Sequence, residues 1–436
     1  MLQQQWSTPV LVVADDFTGA NDAGSGFARA GARVNVLFDV ATQAEQQQAD
    51  VWAISTDSRA VSAEKAAERT CSAVDRWHDI ARLGWIFKKI DSTLRGNPGA
   101  EIEAALLASG APAALVVPAV PKLGRTTVAG QCLINGVLLT ETEYASDPKT
   151  PVLHANISKR LAEQSGLVSG LISLHQVRQP DLCHALTSAI ARGERFIVID
   201  AESEEDLQRI MAAAAALPQR PLLAGAAGLS DALSLFLSGG SHARSTVAPT
   251  IRRAPVLAVI GSMSEISQRQ IARLGSYHPF TVVDVDIRQL FTGWPDAGRW
   301  RQSALSALQR GQHCVIRTCQ QPGQRQDITA LCERYNLSRR QLGERICAFL
   351  ADSTRELLQA FSPSALYLSG GDVAIAVAKG LGAEGFQIKG QVAGCVPYGH
   401  LLKVREDLLV LTKAGGFGDD TTLVDVFRFI EEKASE

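Results

Sequence analysis

Bulk charge gives this 436-residue chain no obvious partner, because 43 Lys and Arg stand against 45 Asp and Glu, a formal net charge of −2. Lacking a basic stripe or a Lys/Arg run, it has no electrostatic footprint for nucleic acid. It also lacks a membrane-spanning run. The most apolar long stretch, AALLASGAPAALVVPAVP from Ala104 to Pro121, is broken by a glycine and three prolines into a helix end, a turn and a strand. The N-terminus, MLQQQWSTP, has neither the basic nor the apolar region of a signal peptide, so the expected location is cytoplasmic. None of the eight cysteines forms a CxxC pair, and Cys314 and Cys319 have no metal-site arrangement of histidines beside them. That pattern argues against structural zinc and a disulfide framework, and for reduced buried thiols. The eight histidines form no cluster, and no Ser/His/Asp order suggests a hydrolase elbow. No Gly-Lys pair occurs, which removes the P-loop.

What is present has the balance of a globular protein, with 46% apolar and 20% charged residues over a length that implies two domains. The first half repeats one theme: a short apolar run, a polar or glycine turn, then a helical pattern. PVLVVADD leads to a helix expected around Asn21 to Ala30, closed by Gly31. RVNVLFD, ADVWAIST, GWIFKKID, ALVVPAV, FIVID and PLLAG read as strands, with helices such as SAEKAAERTCSAVDRW and GNPGAEIEAALLAS between them. Such alternation predicts βαβ units and, in each of two domains, a mainly parallel β-sheet flanked by helices. In QCLINGVLL, Asn135-Gly136 between apolar runs predicts an inserted β-hairpin. Residues 238–255, SGGSHARSTVAPTIRRAP, lose the periodicity and form the expected linker between a domain over 1–237 and one over 256–436.

After the linker, VLAVIGSMSEISQRQI, ALYLSGGDVAIAVAKGL and LLVLTKAGGFGDDTTLVDVF share one form: strand, small-residue turn, helix. In a parallel sheet such turns lie together at the carboxyl ends of the strands, where exposed N–H groups favour phosphate. Ser262 and Ser264, Gly370 and Gly371, and Gly415, Gly416 and Gly418 would form the cradle. A glycine after any one strand makes only a tight turn; three in one domain point to a nucleotide. Asp372, Asp419 and Asp420 beside them are ordinary helix caps or contacts to Mg²⁺, which needs only one or two protein carboxylates in addition to phosphate. GLGAEG at 380–385 matches GxGxxG but follows a helix instead of opening one, so a dinucleotide site fails on context.

Three polar groups end strands in the first domain: DDFTGAND at 15–22, STDSR at 55–59 and KKIDSTLRG at 88–96. Lys88, Lys89, Asp91, Ser92, Thr93 and Arg95 are a dense set of cations, hydroxyls and carboxylate that could hold a polyhydroxylated acid. Each has a plainer reading: a solvated strand edge for the lysines, a turn for Asp57 and Ser58, an exposed side chain for Arg59. In PKLGRTT, Lys122 and Arg125 are either phosphate contacts or nothing. Side chains alternate along an extended segment, so Asp15 and Asp16 are expected to differ: Asp15 toward backbone or helix-start donors, Asp16 toward a ligand.

Taken in order, ADDFTGAND, DSR, KKIDSTLRG, GSMS, SGGD and KAGGFGDD resemble the four-carbon acid sugar kinase family, over nearly the whole chain. The resemblance implies a sugar-acid-binding N-terminal domain, a nucleotide-binding C-terminal domain and an active site in the cleft between them. It implies phosphorylation by ATP, as its Mg²⁺ complex, of the terminal hydroxyl of threonate, erythronate or 3-oxo-tetronate. Implied substrate contacts are Asp16, Arg59, Lys89, Ile90, Asp91 and Ser92; implied ATP contacts are Ser262, Ser369, Gly370, Gly371, Asp372 and Gly415. Asp16 or Asp91 would be the catalytic base, and Lys89 or Arg59 would meet the substrate carboxylate. The chain departs from many relatives in having Ser369 and Asp372 where they carry Thr and Glu, and its GANDAG version is most similar to the branch acting on D-threonate. A sugar-acid sensor is the rival class, and it leaves three glycine-rich strand ends without a purpose. The expected partners are therefore small molecules, with no nucleic acid and no membrane; a homodimer is only the general prior for an oligomer.

Overall fold

A computed structural model of the protein describes Trp6 and residues 8–41, 48–77, 79, 84–142, 145, 151–239, 253–318, 324–405 and 407–434. The chain divides into two compact units, Met1–Arg244 and Ser245–Glu436. Residues 240–252, most of the expected linker, lie outside the described residues.

The first unit contains β1 (Val10–Ala14), β2 (Val34–Leu37), β3 (Val51–Ser55), β4 (Trp85–Lys89), β5 (Ala114–Val117), β6 (Arg125–Val128), β7 (Gln131–Ile134), β8 (Val137–Leu138), β9 (Ser169–Ile172), β10 (Phe196–Ile199) and β11 (Leu222–Gly225). Its main sheet runs β2-β3-β1-β4-β11-β5-β10-β9, with parallel pairing throughout. Every residue of β1 and β3 is buried, as a sheet covered on both faces demands. From β1 the chain moves to one side through β2 and β3, then crosses back to β4. That switch leaves the loops after β1, β3 and β4 side by side at the strands' carboxyl ends.

Local sequence explains the neighbouring elements. The first helix spans Phe17–Arg29, beginning four residues before the predicted start, with Gly31 following at φ 91°. Thr18 and Gly19 are weak helix formers, so periodicity alone dates the helix too late; the Asp16 cap is what starts it. Ala63–Arg76 starts on the Ser62 cap, and Pro98–Ser109 starts with Pro at its first position and stops at Gly110, φ 67°. The predicted hairpin is present as β7 and β8, with Asn135 and Gly136 both at positive φ. A second tight turn, Ala129-Gly130, joins β6 to β7 and carried no Asn-Gly signal; Asp200 accepts both of its N–H groups, at 2.8 and 2.9 Å.

In the second unit the strands are β12 (Leu257–Ile260), β13 (Phe280–Asp284), β14 (His313–Arg317), β15 (Ala365–Ser369), β16 (Gly385–Val392), β17 (Val396–Leu402) and β18 (Leu409–Lys413). Their order is β13-β14-β12-β15-β18-β17-β16, parallel from β13 to β18 and antiparallel beyond. The β16–β17 hairpin, whose turn places Ala393 and Gly394 at positive φ, was not foreseen in the sequence. GLGAEG closes the helix Gly371–Gly380 and leads into β16, as its context required. Among the described residues no helix is long and apolar enough to cross a membrane.

Candidate functional site

The first cluster is organised by Arg59. Its guanidinium grips Asp15 with two bonds, Nε–Oδ2 at 2.6 Å and Nη2–Oδ1 at 3.0 Å. The same group reaches Asp16 at 2.6 Å and Asp91 at 3.9 Å. The default of an exposed arginine is therefore wrong, because three strand-end carboxylates converge on this side chain. Gly96, at φ 84°, lets the loop after β4 close over it: a Cβ there would stand 3.2 Å from Arg59 Cγ and 3.3 Å from Asp15 Oδ2.

Asp15 and Asp16 do differ, but the helix-start donors expected at Asp15 belong to Asp16. Asp16 is the helix cap, accepting from Gly19 N at 2.6 Å. Asp15 is buried and paired with Arg59 through its side chain, while its backbone oxygen accepts from Ser58 and Arg59. Capping still leaves the Asp16 side chain 27% exposed. Burial pushes the Asp16 carboxyl above its ordinary value, against the pull of Arg59 and with the help of neighbouring Asp15. For Asp15 burial acts the same way, but Arg59, Lys88 and Lys89 outweigh it and hold the group below its ordinary value.

Asp91 ends in a nest of donors: Thr93 N and Oγ1, Arg95 N, and Arg95 Nε and Nη2 at 2.9 and 3.1 Å. Burial would raise its carboxyl, yet Arg59 and Arg95 hold it far below the usual carboxylate range. Ser92 accepts from Arg125, the residue that opens β6. Lys122 pairs instead with Asp231. Ile90 is itself buried, with its N–H on Gly225 O at 2.9 Å.

Neither Lys88 nor Lys89 is a solvated edge; both are buried. Lys88 pairs with Glu101 at 2.9 Å beneath the cluster, and Glu101 also accepts from Ser58 Oγ. Burial pushes Glu101 upward in spite of Lys88. Lys89 Nζ donates to Ile90 O at 3.1 Å and lies beside Gly19, where a Cβ would approach it to 3.4 Å and Asp16 Oδ1 to 2.8 Å. The small residue there keeps room between the Asp16 carboxylate and the Lys89 ammonium. From the helix Ile157–Ala162, buried Arg160 donates to Leu94 O at 3.1 Å and Gly96 O at 2.7 Å, bracing the loop from behind. Glu101 and Arg160 escaped the sequence reading. The only signal was a charged residue on an otherwise apolar helix face, which has many ordinary causes.

In the second unit the loops after β12, β15 and β18 meet. A Cβ on Gly415 would fall 2.2 Å from Ser262 Oγ, and one on Gly370, at φ 107°, would fall 3.7 Å from Ser262 N. Ser264 caps the helix Glu265–Leu274 and donates to Gly415 O at 2.6 Å. Ser369 ends β15 and is buried; Gly371 and Asp372 open a helix that has no side-chain cap, so its first N–H groups face outward. The three carboxylates have separate fates. Asp419 accepts from Thr421 N at 2.9 Å, and Asp420 pairs with Arg269 at 2.8 Å. Asp372 is exposed and forms no hydrogen bond or ion pair among the described residues. The residues at this site suit a polyphosphate: Gly415 and Gly418 without space for a Cβ, an uncapped helix start and hydroxyls. Lys413, at the end of β18, was quoted in the motif but not singled out. Its sign was a lysine closing a fully buried apolar strand.

A model described as a sugar-binding N-terminal domain matches residues 10–233, and one described as a nucleotide-binding C-terminal domain matches residues 257–423. This chain belongs to the four-carbon acid sugar kinase family. It is 42% identical over 426 residues to a D-threonate kinase of Salmonella typhimurium, covering 97% of this chain and 98% of that one. It is 31% identical to a D-erythronate kinase of Heliobacterium modesticaldum, covering 98% of each. A solved Haemophilus influenzae structure of the DUF1537 family model matches with a TM-score of 0.77 at 25% identity, covering 97% of this chain and 100% of that one. As a family member the chain thus carries one matched domain over each of its two loop clusters.

Proposed function

We propose that the protein is an ATP-dependent kinase that phosphorylates the 4-hydroxyl of a four-carbon sugar acid, converting D-threonate to 4-phospho-D-threonate. The full-length similarity to a D-threonate kinase carries this reading, and the two clusters give it residues. The first cluster takes the acid. Arg59 is occupied by three carboxylates of the chain, so the substrate carboxylate falls to Lys89, with Ser92 and the Ile90–Asp91 backbone beside it. Asp16 is the base: it remains partly open, and burial raises its proton affinity. Asp91, saturated with donors, holds Arg59 and Arg95 in place.

In the reaction the 4-hydroxyl oxygen attacks the γ-phosphorus, the bond to the β-phosphate oxygen breaks, ADP leaves, and the hydroxyl proton passes to Asp16. Ser262, Ser369, Gly371 and Gly415 hold the phosphates through hydroxyls and backbone N–H groups, while Gly370, whose own N–H donates to Lys413 O, shapes the turn beside them. Among the described residues no group of three or more His, Cys, Asp or Glu could hold a metal ion. Mg²⁺ would therefore be held mainly by phosphate oxygens, with Asp372, exposed in the first turn of the helix Gly371–Gly380, as a carboxylate that could join them. The reaction also requires acid and nucleotide to meet.

A coupled ADP-release assay with D-threonate, L-threonate, D-erythronate and 3-oxo-tetronate tests the reading. The expected result is highest kcat/KM for D-threonate. Preference for another of the four corrects the substrate alone. Absence of turnover with all four, together with no thermal stabilisation by Mg-ATP, would leave the sensor reading in its place.

A further inference from the structure

We infer that Lys413 is the positioning residue of the nucleotide loop: its buried ammonium turns the loop's carbonyl groups inward and so presents the loop's N–H groups outward as a nest for phosphate oxygens. The inference rests on the nucleotide reading of this loop and names what holds it in shape. Lys413 Nζ donates to Ala414 O at 2.8 Å, Gly415 O at 3.0 Å and Phe417 O at 3.0 Å. Other donors act from the helix Glu265–Leu274 and its cap: Ser264 and Ser267 hydroxyls reach Gly415 O at 2.6 and 2.8 Å, and Gln270 reaches Phe417 O at 3.2 Å and Asp419 O at 2.8 Å.

A trans peptide unit is planar, with its C=O and N–H pointing opposite ways. Inward carbonyls at 414, 415, 417 and 419 therefore require outward N–H groups at Gly415, Gly416, Gly418 and Asp420. None of those four N–H groups has an acceptor among the described residues. Successive outward N–H groups in an exposed turn make an anion-binding concavity. Gly418 takes φ 82°, and Gly416 has nothing within 4 Å of where a Cβ would be, so the nest stays open.

The geometry also separates this lysine from one that touches phosphate. An ammonium has three protons, and here each has a carbonyl acceptor. The residue is 2% exposed, so the charge acts through the loop. Its β18 neighbours pin the backbone on the same side, with Gly370 N donating to Lys413 O at 2.9 Å; the loops after β15 and β18 thus share one anchor.

The test is Lys413→Met, with KM for ATP and for the sugar acid measured separately, and with Mg-ATP titrated calorimetrically into wild type and variant. The expected result is a rise in ATP KM and Kd on the order of tenfold or more, with the KM of the acid unchanged. Should the variant fail to fold, Ser267→Ala decides the matter, because it removes one donor to Gly415 O without exposing a lysine-shaped hole; a smaller, equally ATP-selective rise is expected. A fall in kcat alone, equal rises in both KM values, or unchanged ATP binding overturns the positioning role. If wild type itself binds no Mg-ATP, the nucleotide reading fails, and the inference fails with it for a distinguishable reason.

Discussion

The two loop clusters occupy the same kind of place, the carboxyl ends of adjacent parallel strands, yet they are made of different material. The first is built from charged side chains locked on one another: Asp15, Asp16 and Asp91 around Arg59, with Lys89 beside them. The second is built from backbone, with glycine N–H groups facing out and one buried lysine behind. A small acid with several hydroxyls is told from its stereoisomers by donors and acceptors at fixed points, which suits the cluster proposed to read it to a rigid, charged build. A polyphosphate is the same on every nucleotide, and peptide groups suffice for it.

The sharpest way to break the comparison is Asp16→Asn. Asparagine caps a helix as well as aspartate does, so the fold should stand, whereas loss of the base should lower kcat by about 10²–10⁴-fold. Mg-ATP binding measured calorimetrically should not change; turnover near the wild-type rate would remove Asp16 from the chemistry. Next in size is Lys88→Met, which strands the buried Glu101 carboxylate and should cost about 3–5 kcal/mol in chemical denaturation. The double variant with Glu101→Leu should recover most of that loss, and failure to recover would show that the pair does more than neutralise itself.

Gly415→Ala probes the other cluster. Its Cβ would meet Ser262 Oγ at 2.2 Å, so the loop must shift, and ATP KM should rise by roughly 1–2 orders of magnitude with the acid's KM intact. Equal damage to both values would mean that the clusters are not separable. The smallest effect is a pH dependence. Burial pushes Lys413 down to about 8 from the ordinary 10.5, with the Cys395 thiol as the ionisable group that faces it. Between those values the unfolded chain holds one more proton than the folded one, so this lysine's contribution to stability improves as pH rises. The loop, which needs the ammonium, weakens over the same range. ATP KM should therefore climb above about pH 8 while Lys413→Met shows a flatter profile; parallel profiles would sever the link.

Much of this was legible in the sequence, because parallel strands buried on both faces are written as unbroken apolar runs, and their carboxyl-end loops as small and polar ones. The six motifs marked the loops after β1, β3, β4, β12, β15 and β18. Parity along an extended chain showed that Asp15 and Asp16 differ, but not which does what. That depended on the helix starting at Phe17, since a cap bonds the N–H three residues ahead, here Gly19. Arg59 as a hub, Lys88 with Glu101, and Arg160 behind Leu94 and Gly96 join residues far apart in the chain, and local pattern carries no trace of such pairings. The β16–β17 hairpin was missed because its turn, Ala393-Gly394, lacks the usual asparagine.

The position of β11 has a consequence for synthesis. It is the last strand of its unit to leave the ribosome, yet it lies between β4 and β5. Until Leu222–Gly225 has emerged, those two strands have raw facing edges, each a template for wrong pairing. Ile90, within the loop that would grip the acid, has its N–H on Gly225 O, so the binding loop is finished only when the strand slots in. A nascent chain halted short of that point is an aggregation hazard, not a smaller binding module.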